Sequence, residues 1–157
     1  MPSLYINTTE SSYGGEPESN EEWCHHSDVV RSVTFNGVYR NKSDSFWSAG
    51  QSFEVSEEVF KSERVFLVIV RYRDGGTFGS TTGNWHIQQA FTNPKEAKNL
   101  AASILDGSYE KKMDKKHGQY GHYMPWVGYF SSLESVEIHS FKIKDNFDAE
   151  SGIIFHD

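Results

Sequence analysis

Residues 64–91 read RVFLVIVRYRDGGTFGSTTGNWHIQQAF, and the reading of this stretch decides the fold. Val65 to Tyr72 is the most apolar run in the chain and is dominated by β-branched and aromatic residues, which suit a pleated, packed surface. Its first six positions are apolar on both faces, the pattern of a central strand covered above and below. From Trp85 to Phe91 the pattern alternates. Trp85, Ile87, Gln89 and Phe91 share one side, and His86, Gln88 and Ala90 the other. The intervening Asp74–Asn84 segment is rich in Gly, Ser and Thr and longer than a tight hairpin turn, so a long loop is expected between two strands.

The clearest helix follows. Thr92 or Asn93 can cap it, Pro94 suits a first turn whose N–H has no partner, and Glu96 favours the positive end of the helix dipole. Ala97, Leu100, Ala101, Ile104 and Leu105 form an apolar stripe, and Asp106-Gly107 supplies the stop. Lys111, Lys112, Lys115 and Lys116 extend the helix or begin an exposed loop that runs to Tyr123. Pro125 to Phe130 returns to the core. Val136–Ile143 reads as a last strand, its change of apolar phase accommodated by a bulge near His139 or Ser140. Ile153 to Phe155 fits an edge strand.

Upstream, Leu4-Tyr5-Ile6 is a short strand and Thr8–Glu22 an acidic loop, lid or contact surface. Ser19 and Glu22 have capping-box spacing for a short helix anchored by Trp23. Val33–Tyr39 reads as a strand or as a turn at Asn36-Gly37, two alternatives that stay open. Asn41–Glu63 is a connection packed on the core, with at most short strands. The expected fold is therefore α+β in one domain, residues 1–157. An antiparallel strand, long loop, strand, helix, strand core (64–143) carries one main helix, an irregular N-terminal segment (1–63) and a tail (144–157).

A chain of 157 residues can bury one substantial core, and its 15% aromatic content leaves rings for a binding surface. The formal net charge of −7 argues against general nucleic-acid binding, which relies on phosphate neutralisation. With Cys24 alone, neither an intrachain disulfide nor a multi-cysteine zinc site is available. Residues 1–22 lack the pattern of a signal peptide, and no apolar run approaches the roughly 18 residues of a spanning helix. A soluble, cytoplasmic protein without membrane contact is expected, and homo-oligomerisation stays open.

The segment richest in chemistry is Asp74, Gly75, Gly76, Thr77, Phe78 and Gly79. Glycines let backbone N–H groups approach an anion, and hydroxyls add donors, although the segment has neither the P-loop nor the GxGxxG pattern. Arg71 and Arg73 share one face of the incoming strand, where either can pair with phosphate or carboxylate. Trp126 is a candidate ring for stacking a base. The competing reading is a hairpin loop with two solvated arginines. The seven histidines suggest no metal centre: Cys24, His25 and His26 are adjacent, His117 and His122 flank a Gly-containing loop, and HExxH is absent. No GxSxG elbow occurs, Cys24-His25 is not a dyad, and Asp74, Glu134 and Glu137 are scattered carboxylates. No catalytic residue, metal or cofactor is assigned.

Tyr13-Gly14-Gly15, Glu21-Glu22-Trp23-Cys24, the stretch Arg71–Gly79 and Pro125–Phe130 resemble segments of small accessory proteins encoded by tailed bacteriophages. The resemblance implies a counter-defence setting, in which many such proteins bind and disable a host or defence component without catalysis. The leading expectation is a binding protein that sequesters a small anionic, nucleotide-like defence signal. An acidic inhibitor of a host or defence enzyme, acting by nucleic-acid mimicry, is the alternative, and a small phosphoesterase or nuclease is a third.

Overall fold

The computed structural model describes residues 2–13, 30–41, 50–76, 79–117, 124–127 and 131–146. Strands β1 (Ser3–Tyr13), β2 (Val30–Asn41) and β3 (Gly50–Glu54) precede a short helix α1 (Glu57–Lys61). Strands β4 (Arg64–Gly76) and β5 (Gly79–Phe91) lead into helices α2 (Pro94–Leu105) and α3 (Ser108–His117), and β6 (Ser131–Asn146) closes the described fold. The six strands form one sheet in the order β3-β1-β2-β5-β4-β6. Its β1–β2, β1–β3, β4–β5 and β4–β6 pairs are antiparallel, whereas β2 meets both β5 and β6 in parallel. Because β2 touches β5 through Val30 and Thr82 and β6 from Val38 onward, the sheet curls almost into a barrel.

The apolar run in β4 is central, and its alternation serves two cores. Val65, Leu67 and Ile69 face inward against Leu4, Ile6, Phe35, Val38, Phe141 and Ile143. Val68 and Val70 face outward against Ala97, Ala101 and Ile104 of α2, with Met124 and Trp126. Val55 and Val59 bring α1 into the inner core near the start of β4. There Arg40 donates from Nε to the Phe60 carbonyl at 2.9 Å and pairs with Asp145 at 2.7 Å. The inner core is thus covered at the α1 end; the other end lies towards Gly76 of β4 and Ser131 of β6.

Several expectations change. The long loop contracts: β4 and β5 pair through Gly75 with Ser80 and Gly76 with Gly79, which leaves Thr77 and Phe78, outside the described residues, as the connection. Glycine lowers intrinsic strand propensity, but the ladder supplied by β4 outweighs it. The N-terminal half is not irregular, since β1, β2 and β3 are three of the six strands. Polar Thr8–Tyr13 belongs to β1, paired along its length with β2. There is not one main helix: Gly107, at φ 83°, breaks the path after α2, and the lysine segment forms the separate helix α3.

Asn36-Gly37 is a bulge, not a turn. Phe35 pairs with Thr8 and Gly37 with Asn7, so Asn36 is the extra residue, and Val33, Phe35 and Val38 all reach the inner core despite their changed parity. In β5 the extra residue is Gln88, which sends Trp85, Ile87 and Ala90 inward and Phe91 towards the helices. No bulge occurs at His139 or Ser140; the β6 register shifts near Glu134 instead. The apolar phase changes because Leu133, Val136 and Ile138 pack under the helices while Phe141 and Ile143 enter the inner core. The expected helix at 19–28 and edge strand at 153–155 lie outside the described residues.

Candidate functional site at the hairpin end of the strands

Beyond Ile69 the inward positions of β4 become charged, and Arg71 takes the next place on that face. Glu137 on β6 stands opposite Ile69, one step diagonal to Arg71, and His139 stands opposite Leu67. Arg71 donates from Nε to Glu137 Oε2 at 2.5 Å and from a terminal nitrogen to the Val33 carbonyl at 3.0 Å. The Ser135 hydroxyl adds a contact of 3.2 Å to the same carboxylate oxygen. His139 Nε2 lies 2.8 Å from Glu137 Oε1.

Around this network lie aromatic rings. The Arg71 guanidinium carbon is 5.2 Å from the Phe35 ring centre, close enough for cation–π attraction. Phe35 meets both Trp85 and His139 edge-on at 4.9 Å, and His139 stacks on Phe141 at 6.3 Å. The side chains of Arg71, Glu137 and His139 are 18%, 31% and 14% exposed, so the group is desolvated yet within reach of a solute.

The His139 hydrogen bond and the Arg71 charge outweigh burial and hold the Glu137 carboxyl down at about 2. It is ionised at neutral pH and only accepts, so the proton on the His139–Glu137 contact belongs to Nε2 of the imidazole. The cluster offers a fixed guanidinium, an oriented imidazole and ring faces. A guanidinium beside the carboxylate does not favour a cation, and among the described residues no three His, Cys, Asp or Glu side chains are grouped to hold a metal.

The candidate residues do not all converge. Arg73 follows Arg71 on the same face by strand alternation and is exposed. Asp74 is also exposed, and Ser131 donates to its Oδ1 at 3.4 Å. Gly75, Gly76 and Gly79 are in the β4–β5 ladder, where backbone groups are aligned along the sheet instead of converging on one anion. Thr77 and Phe78 lie outside the described residues. Trp126 is 7% exposed and belongs to the outer core under the helices, on the opposite face of β4 from Arg71. Stacking a base on it would require leaving that core.

Glu137, His139, Ser135, Phe35 and Trp85 were not singled out from sequence as site residues. The only local signal is Glu137, His139 and Phe141 at two-residue spacing on one strand face; β2 and β5 supply the rest from afar. A separate groove of about 470 Å³, flanked by Glu58, Thr92, Glu96 and Phe91, lies by α1 and the start of α2. Its two carboxylates make it a poor receptor for an anion. No protein-family model, curated protein or solved structure matches the chain.

Proposed function

We propose that this chain is a non-enzymatic binding protein that sequesters a small anionic, nucleotide-like ligand at the hairpin end of its strands. The observation that carries this reading is the Arg71 guanidinium, fixed between Glu137, the Val33 carbonyl and the Phe35 ring at a partly exposed position. A charged network costs more to desolvate than the apolar side chains that continue the same face further along β4. Its retention beside exposed Arg73 and the half-buried Trp85 ring favours recognition of a ligand with charge and a planar group. The sequence resemblance supplies the setting: a phage protein in the cytoplasm of an infected bacterium, withholding a defence signal.

The test is isothermal titration with a panel of nucleotides and cyclic nucleotides, joined to mass spectrometry of small molecules released from protein purified out of cells with an active nucleotide-signalling defence. A stoichiometric, intact nucleotide is expected. Arg73→Ala should weaken its binding about tenfold or more, the loss of one charge-assisted contact. If no nucleotide binds and none is released, sequestration is wrong. A processed product would replace it with the phosphoesterase reading, in which His139 oriented by Glu137 is the first group to examine.

One feature favours a second reading. Residues 1–30 contain Glu10, Glu16, Glu18, Glu21, Glu22 and Asp28 and no Lys or Arg, a concentrated negative segment suited to a basic site on a host or defence enzyme. In that case a host polypeptide co-purifies, Arg73→Ala keeps activity, and neutralising Glu16, Glu18, Glu21 and Glu22 together abolishes it.

A further inference from the structure

Helix α3 carries Lys111, Lys112, Lys115 and Lys116, four of the chain's 15 basic residues within one short stretch of a protein with net charge −7. All four are exposed, and among the described residues none joins an ion pair. At about 100° per residue they fall within an arc of roughly 140°, whereas Glu110 and Asp114 fall on the other flank. Between the flanks, Tyr109 and Met113 pack into the outer core, and Tyr109 Oη accepts a 2.7 Å hydrogen bond from Gln88 Nε2 of β5. The lysine flank is therefore presented by an anchored helix.

Asp106 and Asp114 attract Lys111, but within α3 Lys112, Lys115 and Lys116 have no carboxylate three or four residues away. Here Lys111 with Lys115 and Lys112 with Lys116 are like-charge pairs at i, i+4, which repel one another. Attraction of Lys115 and Lys116 to the helix C-terminus offsets part of that repulsion but does nothing for Lys111 and Lys112, which lie nearer the N-terminus. Exposed apolar side chains occur on the segments that flank α3 in sequence. Leu105, 60% exposed, ends α2 three residues before α3 begins, and Val127, 42% exposed, follows Trp126 of the same outer core. Among the described residues these are the two exposed large hydrophobic side chains. Aliphatic groups have little to offer a phosphate backbone but are usual at the centre of a protein interface with a charged rim.

We infer that the lysine flank of α3, together with Leu105, is a docking surface for an acidic, leucine-containing segment of a partner protein. It is separate from the Arg71 cluster, which lies on the inner face of the sheet that α2 and α3 cover from outside. Fluorescence anisotropy at low ionic strength tests it with three labelled probes: a glutamate-rich peptide with leucines, a polyglutamate peptide of equal charge, and a single-stranded oligonucleotide. The leucine-containing peptide should bind most tightly and lose affinity as salt screens the lysines. The double variant Lys112→Glu/Lys116→Glu should weaken it at least tenfold, and Leu105→Ser should remove its advantage over polyglutamate. Arg73→Ala should change nothing, which separates this surface from the proposed ligand site. Circular dichroism and thermal melts confirm that the variants stay folded, since every altered side chain is exposed. Absence of peptide binding, binding indifferent to the charge reversal, or tighter binding of the oligonucleotide would each overturn the inference.

Discussion

Arg71 and Glu137 are diagonal neighbours across β4 and β6: Arg71 stands opposite Ser135, Glu137 opposite Ile69, and Nε and Oε2 are 2.5 Å apart. The pair sits where the apolar inner face of β4 gives way to charge. A desolvated pair of this kind is worth little relative to well-packed apolar residues, but breaking it leaves a charge without its partner.

Glu137→Gln should therefore destabilise the protein by about 1–3 kcal/mol, since Arg71 loses a charge-assisted contact while remaining half-buried. Replacing both members, Arg71→Met with Glu137→Gln, should recover part of that loss. Denaturant melts of the single and double variants measure the coupling. Additive losses would mean that the contact is energetically idle.

Acid should weaken the fold in two windows. Burial lowers the His86 pKa below its ordinary 6.5, so below that value the unfolded chain takes up a proton that the folded protein resists, and stability falls. Glu137 acts in the same direction at lower pH. Its carboxyl titrates near 4.5 when unexceptional and at about 2 in the fold, so its contribution is complete above 4.5 and disappears as the pH falls towards 2. Thermal midpoints across this range should decline in both windows. His86→Gln should flatten the upper one and Glu137→Gln the lower one.

The two glycines at positive φ should respond differently to alanine. At Gly107, φ 83°, a Cβ meets nothing within 4 Å, so Gly107→Ala should cost only the backbone strain, about 1–2 kcal/mol. At Gly50, φ 144°, the Cβ would lie 2.1 Å from the Ile6 carbonyl oxygen and 2.8 Å from the Tyr5 hydroxyl. Gly50→Ala should push β3 from β1 and cost about 2 kcal/mol or more. Equal denaturation midpoints for the two variants would show that β3 yields without cost.

On α2, Ala97, Ala101 and Ile104 are buried, Leu100 is half-buried, and Leu105 points to solvent. Ile104→Ala should cost about 2–5 kcal/mol and the exposed Lys98→Ala at most about 0.5 kcal/mol. A small loss at Ile104 would show that the outer core collapses readily around the missing methyl groups.

Local chemistry alone determined the interior strand at Val65–Val70 and the helix from Pro94 to Leu105. A six-residue run apolar on both faces and rich in β-branched side chains suits a strand packed on two sides. Asn93, Pro94 and the three- and four-residue spacing after them specify a helix start and face within one short window; Asn93 Oδ1 indeed accepts from the Lys95 N–H at 2.8 Å. Tertiary structure decided what depends on partners distant in sequence. Polar Thr8–Tyr13 is a strand because β2 pairs with it, and Gly79–Gly83 stays extended because β4 lies alongside. Bulges at Asn36, Gln88 and Glu134 reset which side chains face inward, and no local pattern marks a bulge whose cause is register with another strand. The same holds for the Arg71 cluster: Arg71 was legible as a cation near a strand end, but its carboxylate, imidazole and ring come from β6 and β2. The pairing of β4 with β6 brings the carboxylate and imidazole, and the closure of β2 onto β5 and β6 brings the ring, long-range pairings that one-dimensional spacing does not encode.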